Sequence, residues 1–435
     1  MNSERFNQSD RTSVWHPYTR HSSLDGAGLP IIVRGEGPYL FDSDGRRHLD
    51  AISSWWCCNL GHGHPALVSA IRKQAGELQH SILGNLSHPR ATELASALAA
   101  LLPGQQRKVL FASDGASAVE AALKIAIQYR HNTGEPSRNR FVSLEGAYHG
   151  DTIGAVSVGY QADFHAALDP LLFKSLRATA PFCAKCAFGL KPETCKTECF
   201  ASMQQILDQY HDEITAVIVE PLCQGAAGMR IYAPSYLARL SEHCRHHNIL
   251  LIVDEIAVGM GRTGRMFAFE HAAIEPDIVC MGKALSGGYL PLSATAVTRE
   301  IYDSFSDKPN DHTFYNGHTF AGNPIACASA LATLEVYKGE YIVAKAAELG
   351  TILAREMTLL SASRGVSGAR TLGMIAAFET KSAPELAIGL RRKHGILIRP
   401  LGNTVYLMLP LIVDEDLLVN TVRLIREELQ CCMSS

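Results

Sequence analysis

The sequence predicts an α/β fold in which a large domain holds a mostly parallel sheet between helices, with a smaller α+β lobe built from both termini. Two observations predict it. Short apolar runs alternate with helical stretches through the middle of the chain, the pattern of parallel strands joined by crossover helices. The two ends instead carry short strands of mixed polarity, which favours a separate lobe.

The apolar runs of the middle region are predicted to be strands of one sheet. They occupy residues 109–112, 140–144, 216–219, 250–253 and 278–281. Helices are predicted over residues 118–129 and near residues 236–247. Ligands of such sheets bind at the carboxyl ends of the strands, so the residues that follow each run are the candidates for a site.

The two ends of the chain are predicted to fold together. Residues 31–51 indicate a small antiparallel meander with a turn at Asp44 and Gly45. A long helix from about residue 325 precedes short strands near residues 374–379, 396–399 and 405–409. The predicted division is an N-terminal part of the small lobe, a large cofactor-binding domain and a C-terminal part of the small lobe, at residues 1–64, 65–325 and 326–435.

Composition and charge exclude several classes of protein. The chain has 435 residues, of which 47% are hydrophobic and 19% charged, and its net charge is -3. Such a balance gives no electrostatic reason to bind nucleic acid or an anionic membrane, and no apolar run reaches the length of a membrane span. The polar N-terminus lacks the apolar core of a signal peptide, so the cytoplasm is the expected location.

A lysine among small residues ends the last predicted strand. The run 278–281 leads into Gly282 and Lys283, and Gly287 and Gly288 follow. Lysine is rarely buried unless it is paired or reactive, and glycines allow a bulky group to approach the backbone. The alternative is a solvated lysine in an ordinary loop.

A carboxylate ends the neighbouring predicted strand. The run 250–253 leads directly into Asp254 and Glu255. A buried carboxylate needs a cationic or hydrogen-bonding partner, and pyridoxal phosphate needs both a lysine and an acid at its ring nitrogen. Asp254 alone is explained as a helix N-cap. Together with Lys283 and the glycines, it favours this cofactor.

Three loops offer further contacts, and each has an ordinary structural alternative. Residues 115–117 are predicted to start a helix, whose backbone N–H groups can bind a phosphate. The alternative is an ordinary capped helix. Tyr148 and His149 lie between glycines, where an aromatic ring can stack on a pyridine ring, or they form a plugged turn. Thr319 lies in a Gly/Asn-rich segment that is a phosphate contact or a generic loop.

The motifs DEIAVGMGRTG, GKALSGG and HTFAGNP, in this order and spacing, resemble the class III (ω-type) aminotransferases of pyridoxal-phosphate fold type I. The resemblance covers nearly the whole chain. VWHPYTR and AISSWWCCNLGHGHP resemble one branch, the 7,8-diaminopelargonate synthases of biotin biosynthesis. The resemblance implies pyridoxal 5'-phosphate as cofactor, and an aminotransferase that makes 7,8-diaminononanoate from 8-amino-7-oxononanoate.

The resemblance also implies roles for individual residues, three of them catalytic: Lys283 as the Schiff-base lysine and proton shuttle, Asp254 at the pyridinium nitrogen, and Tyr148 near the ring. The implied cofactor contacts are Gly115, Ala116, Tyr148, Asp254, Ile256, Lys283, His318 and Thr319. The implied substrate contacts are Tyr18, Trp55, Tyr148, Arg262, Lys283, Gly317 and Arg399. His318 and Thr319 would come from the neighbouring subunit, which implies a homodimer with shared active sites.

Two features leave the amino donor open. HPYT and SWW resemble the branch that uses S-adenosylmethionine, whereas the pair His318-Thr319 and GDTIGAVSVG resemble a branch that includes enzymes using lysine.

The phosphate cradle reads Asp-Gly-Ala where many relatives have Ser-Gly-Ser, so Ala116 removes a hydroxyl. Another ω-aminotransferase, a dialkylglycine decarboxylase or an aminomutase of the same fold remains an alternative, as does a catalytically silent binding protein.

A cysteine-rich insert spans residues 183–199. Cys183, Cys186, Cys195 and Cys199 follow the spacing C-x2-C-x8-C-x3-C, which suits a structural zinc ion, although incidental or redox-sensitive thiols explain it as well. A zinc-binding module is therefore the non-enzyme alternative. The other eight of the twelve cysteines are expected to be reduced thiols, buried or in the tail.

Overall fold

The structure, a computed structural model, describes residues 3–23, 29–104, 106–191 and 194–432. Its strands are β1 Ile32–Glu36, β2 Tyr39–Asp42, β3 Arg47–Asp50, β4 Lys108–Ala112, β5 Arg140–Leu144, β6 Leu176–Ala178, β7 Ile214–Val219, β8 Cys223–Gln224, β9 Arg230–Ile231, β10 Leu250–Asp254, β11 Ile278–Met281, β12 Ser293–Val297, β13 Ser367–Leu372, β14 Ile375–Glu379, β15 Ile396–Leu397 and β16 Thr404–Leu407. Its helices are α1 Ser3–Ser13, α2 Ser53–Trp56, α3 Pro65–Glu77, α4 Pro89–Leu101, α5 Gly115–Asn132, α6 Ile153–Val158, α7 Ala162–His165, α8 Ala201–Tyr210, α9 Pro234–His246, α10 Arg299–Asp303, α11 Pro324–Gly339, α12 Ile342–Ser361, α13 Ala383–Gly389 and α14 Glu415–Cys432.

The central sheet has seven strands in the order β4-β12-β11-β10-β7-β5-β6. The five strands from β11 to β6 are parallel, and β12 is antiparallel to both of its neighbours. The predicted mostly parallel sheet is confirmed. Strand β12, with the sequence SATAV, was not predicted because its small and hydroxyl side chains give little apolar signal although all five are buried.

The sheet is buried on both faces, as crossover helices require. Successive side chains of β7 point to opposite sides, so that Val217 belongs to one core cluster and Ile218 to another. Helix α5 covers the face of Ile218, and helices α4, α8 and α9 cover the face of Val217. The rigid sheet therefore fixes the positions of the loops at its carboxyl edge.

Both ends of the chain meet in a smaller set of strands. The meander β1-β2-β3 is antiparallel, and the C-terminal strand β15 pairs with β3 in parallel, Ile396 opposite Leu49. The predicted turn is present, since the N–H of Gly45 donates to the carbonyl of Asp42 at 3.0 Å. A second sheet, β13-β14-β16, packs with α12 and α14. These contacts support the predicted small lobe, whose bounds stay a prediction.

Helix α11 connects the two parts rather than marking a boundary. Its first half, with Ala326 and Ala330, packs in the core of the large sheet, and its second half, with Val336 and Tyr337, packs in the core of the small lobe. Within the described ranges no helix combines the length and the apolar character needed to span a bilayer.

Candidate active site

Residues at the carboxyl ends of four parallel strands of the large sheet surround one cavity of about 440 Å³. Lys283 follows β11, Asp254 ends β10, Glu220 follows β7, and Tyr148 lies in the loop after β5. The start of α5, after β4, closes another side. The strand ends thus bring together the predicted lysine, carboxylate, aromatic ring and helix N-terminus.

Lys283 occupies a constrained position on the wall of this cavity. It begins a short 3-10 turn directly after β11 with a left-handed φ of 45°. Its Nζ lies 4.9 Å from the ring centroid of Trp56. Burial lowers the pKa of this lysine, against the opposing effect of the Asp254 and Glu220 carboxylates. A larger fraction of the amine is therefore neutral and able to accept a proton.

Asp254 is held from two sides. His149 Nδ1 lies 2.7 Å from Asp254 Oδ2, and the N–H of Ile256 donates to Asp254 Oδ1 at 3.0 Å. A turn and not a helix follows Asp254, so the alternative that it is a helix N-cap is wrong. The carboxylate is fixed at the cavity wall together with Lys283.

The N-terminus of α5 faces the cavity. Asp114 caps the helix by accepting from both the N–H and the hydroxyl of Ser117, at 3.0 and 2.9 Å. Gly115 and Ala116 line the cavity, and neither has a polar side-chain atom. An anion bound there would therefore contact backbone N–H groups at the start of the helix. A Cβ on Gly115 would lie 2.9 Å from Ile256 Cγ2, so a larger residue would displace Ile256.

Four predicted substrate contacts cluster beside the cavity. Tyr18 and Tyr148 both donate to the carboxylate of Asp151, at 2.5 and 2.9 Å. The guanidinium of Arg399 lies 4.5 Å from the ring centroid of Trp55, whose ring meets Tyr18 edge-on at 5.9 Å. Burial raises the pKa of Tyr18 to about 12, and also raises the pKa of Tyr148, so both remain hydrogen-bond donors at neutral pH.

The two tryptophans diverge because the backbone between them is left-handed. Residues 53–56 all have positive φ, between 45° and 72°, which costs roughly 1 kcal/mol per residue. Side-chain hydrogen bonds from Ser53 to the carbonyl of Met408 and from Ser54 to Asp50, both 2.6 Å long, hold the turn. Trp56 is consequently buried against the cavity, whereas Trp55 is 38% exposed.

Arg262 lies elsewhere. It is completely buried, and its guanidinium donates to the Leu409 carbonyl, to Asn59 and, at 3.3 Å, to Ser53. These partners tie the turn of residues 53–56 to the body of the protein. Arg262 therefore has a structural position in place of the predicted substrate contact, and its burial was not visible in the motif GMGRTG.

Gly317, His318 and Thr319 are exposed and do not line the cavity of their own chain. Within the chain, His318 Nδ1 approaches the hydroxyl of Ser113 at 3.4 Å, and Ser113 immediately precedes the cap of α5. The predicted contact of this loop with a phosphate stays a prediction.

Sequence reasoning assigned no role to several residues that line the cavity, among them Trp56, Asp151 and Glu220. Glu220 accepts from the N–H groups of Tyr148 and Gly225 at 3.1 and 2.8 Å, and burial raises its pKa to about 7. A signal was present, because the run 216–219 ends on a carboxylate as the run 250–253 does.

The cysteine-rich insert does not join the cavity. Cys195 Sγ accepts from the N–H of Thr197 at 3.3 Å and lies 3.6 Å from Glu198 Oε2. Across the described ranges, which include all four cysteines, no three of these sulfurs lie within 4.8 Å of one another. Burial raises the pKa of Cys199 to about 11, and the nearby thiols of Cys195, Cys183 and Cys186 add to this effect, so the four thiols are neighbours and zinc binding by the insert stays a prediction.

The cavity fits pyridoxal phosphate by its own chemistry. The amine of Lys283 and the carboxylate of Asp254 face it together, and a helix N-terminus offers an anion site. Two of its buried polar atoms, His149 Nε2 and Thr152 Oγ1, have no hydrogen-bond partner in the described part of the chain. Such atoms favour a polar ligand in the cavity.

The fold and this site define a pyridoxal-phosphate-dependent transaminase of fold type I. The profile of the family "Aminotransferase class-III" matches residues 25–429, and the chain belongs to that family.

Known proteins resemble the chain over its whole length. The adenosylmethionine-8-amino-7-oxononanoate aminotransferase of Nitratidesulfovibrio vulgaris is 40% identical, over 96% of this chain and 81% of the relative. The crystal structure of the protein of the same name from Methanocaldococcus jannaschii has a TM-score of 0.93 at 34% identity, over 99% of both chains. The omega transaminase of Pseudomonas jessenii in complex with PMP has a TM-score of 0.92 at 28% identity, over 98% of both. Membership of the family excludes the zinc-binding module as the function of the chain.

Proposed function

We propose that the chain transfers an amino group from S-adenosylmethionine to 8-amino-7-oxononanoate, forming 7,8-diaminononanoate in biotin biosynthesis. The relatives that carry this name in full match the chain along nearly its whole length. The observation that carries the proposal is the position of Arg399 over Trp55 beside Tyr18. The acceptor is an apolar chain that ends in a carboxylate. A site for it needs one cation for the carboxylate and aromatic side chains that pack against the apolar chain.

The residues of the cavity have different roles in amino transfer. When bound, pyridoxal phosphate supplies the electron-withdrawing ring that makes the proton on the donor carbon acidic. Lys283 would accept that proton at Nζ and return it. Asp254, oriented by His149, keeps a negative charge at the ring nitrogen. Ile256 would pack beside the ring, and the N–H groups of residues 115 and 116 would hold the phosphate.

Substrate contacts follow from the cluster beside the cavity. Arg399 binds the carboxylate of the acceptor, and its planar fork suits two parallel hydrogen bonds. Tyr18 and Tyr148, fixed on opposite oxygens of Asp151, position the donor and acceptor in turn. Trp55 and Trp56 exclude water from the apolar part of the acceptor.

The proposal includes a homodimer in the cytoplasm. The exposed loop 317–319 lies outside the cavity of its own chain, which supports its use by a second subunit as a phosphate contact. All twelve cysteines are free thiols, as suits a reducing compartment.

Mass spectrometry of the product tests the function. The purified holoenzyme is incubated with 8-amino-7-oxononanoate and one amino donor at a time, and 7,8-diaminononanoate is quantified. We expect product with S-adenosylmethionine and none from the Lys283→Ala variant, while Lys185→Ala, which changes an exposed lysine paired with Glu379, serves as the control. Product with lysine alone would assign the other donor, and absence of product with every donor would overturn the assigned acceptor.

A further inference from the structure

A second cluster of ligand-type side chains lies on helices α8 and α9, apart from the cavity of Lys283. Asp208 is on α8, His243 is on α9, and His247 is the capping residue that follows the last residue of α9. One ligand atom from each of the three lies within 4.8 Å of those of the other two. The residues that line the cofactor cavity are a different set.

Helix geometry places the two histidines together. His243 and His247 are four residues apart, and the N–H of His247 donates to the carbonyl of His243 at 3.1 Å, so both rings lie on one face of the last helical turn. Asp208 approaches from the adjacent helix, with Oδ1 3.2 Å from His247 Nε2. The three ligands are therefore positioned by two packed helices and not by a loop.

The chemistry of this set suits a transition metal. Two imidazole nitrogens and one carboxylate oxygen are ligands that Zn²⁺ binds, with a fourth position left for water. The Arg239 guanidinium donates to the side-chain Oε1 of Gln204 at 2.9 Å and to the hydroxyl of Thr197 at 3.3 Å.

Neighbouring groups support the same arrangement. The ring of His211 lies 5.0 Å from that of His247 and its Nδ1 is 3.0 Å from the Asp208 carbonyl. The ring of His246 meets His247 edge-on at 4.8 Å. These contacts hold the imidazole of His247 in place, as outer groups do around metal ligands.

We propose that Asp208, His243 and His247 bind one divalent transition-metal ion of the zinc class, which joins α8 to α9 at the protein surface. The simpler alternative is that His247 and Asp208 form only an ion pair. The ion would be structural, since its ligands are separate from the residues that face the cofactor.

Calorimetric titration of the holoenzyme with Zn²⁺ tests the site, after treatment with a chelator and desalting. We expect one high-affinity site, weakened at least about tenfold in both His243→Gln and His247→Gln. His131→Gln is the control, because this exposed histidine lies in the last turn of α5, outside the group and its neighbours, and it should bind like the wild type. Affinity unchanged in His247→Gln, or no high-affinity site in the wild type, would overturn the proposal.

The cysteine-rich insert provides the second control. A variant with Cys183→Ser and Cys186→Ser should keep the high-affinity site, because no thiol belongs to the proposed set. If Zn²⁺ binding is lost in that variant and retained in His243→Gln, the metal belongs to the thiols and the proposal is wrong. Thermal unfolding with and without Zn²⁺ should show stabilisation of the wild type, of His131→Gln and of the cysteine variant, and less stabilisation of His243→Gln and His247→Gln.

Discussion

His149 Nδ1 lies 2.7 Å from Asp254 Oδ2, and both side chains are buried at the carboxyl edge of the central sheet. The contact joins the loop after β5 to the end of β10. The contact orients the carboxylate of Asp254. The Nδ1–H of His149 donates a hydrogen bond to this carboxylate. His149 is therefore a positioning residue for the carboxylate at the wall of the cavity.

Removal of this contact should slow catalysis without unfolding the protein. We expect His149→Leu to lower kcat by about tenfold or more, since a hydrogen bond to a charged group contributes roughly 1.5–3 kcal/mol. His149→Asn keeps a donor near the position of Nδ1 and should recover part of the loss. Steady-state kinetics and the pH profile of kcat measure both. Equal rates for the Leu and Asn variants would show that the side chain has only a packing role.

The planar guanidinium of Arg399 should bind the carboxylate of the acceptor through two parallel hydrogen bonds. We expect Arg399→Lys to raise KM for 8-amino-7-oxononanoate by about tenfold, because the ammonium keeps the charge and loses the paired hydrogen bonds. Initial rates at varied acceptor concentration measure this. Arg34→Lys, an exposed arginine that pairs with Glu36, is the control and should leave KM unchanged. An unchanged KM in Arg399→Lys would remove this residue from the carboxylate site.

The phosphate cradle lacks a hydroxyl at position 116, and restoring one should tighten the cofactor. We expect Ala116→Ser to lower the Kd for pyridoxal phosphate about twofold to tenfold, the effect of one added hydrogen bond. Fluorescence titration of the apoprotein measures it. Ser117→Ala is the matched change, since that hydroxyl donates to Asp114 and should affect the stability of the helix and not the affinity. Weaker binding by the Ala116→Ser protein would place residue 116 away from the phosphate.

Glu255 should make the protein less stable as the pH rises. It is buried, accepts from the N–H groups of Ala268 and Phe269 at 2.9 Å each, and burial raises its pKa to about 8. Because an unfolded glutamate has a pKa of about 4.3, the folded state holds the extra proton between these values, and stability falls as pH rises through that window.

The variant Glu255→Gln cannot ionise, so it should lose that part of the pH dependence. Relative to the wild type, its free energy of unfolding should rise between pH 5 and pH 8 by up to about 3.5 kcal/mol. Thermal unfolding of the apoprotein at the two pH values measures the difference. Parallel pH dependence in the two proteins would show that Glu255 titrates normally.

The sequence predicted the parallel sheet and the pairing of Lys283 with Asp254 at one edge, because strand ends on a parallel sheet share a side and buried charges at those ends are rare. It missed β12, whose small polar side chains resemble a loop. It also predicted Arg262 as a substrate contact, and only packing shows that its two terminal nitrogens donate to Leu409 and Asn59. The separation of Trp55 from Trp56 depends on a left-handed turn that no local pattern indicates.

The visible spectrum of the holoenzyme tests the central claim most directly. S-adenosylmethionine is added alone, then removed by desalting, and 8-amino-7-oxononanoate is added. The account predicts that the donor converts the band of the bound cofactor and that the acceptor restores it, in the wild type and not in Lys283→Ala. A coloured wild-type protein whose band responds to neither compound would contradict the proposed reaction.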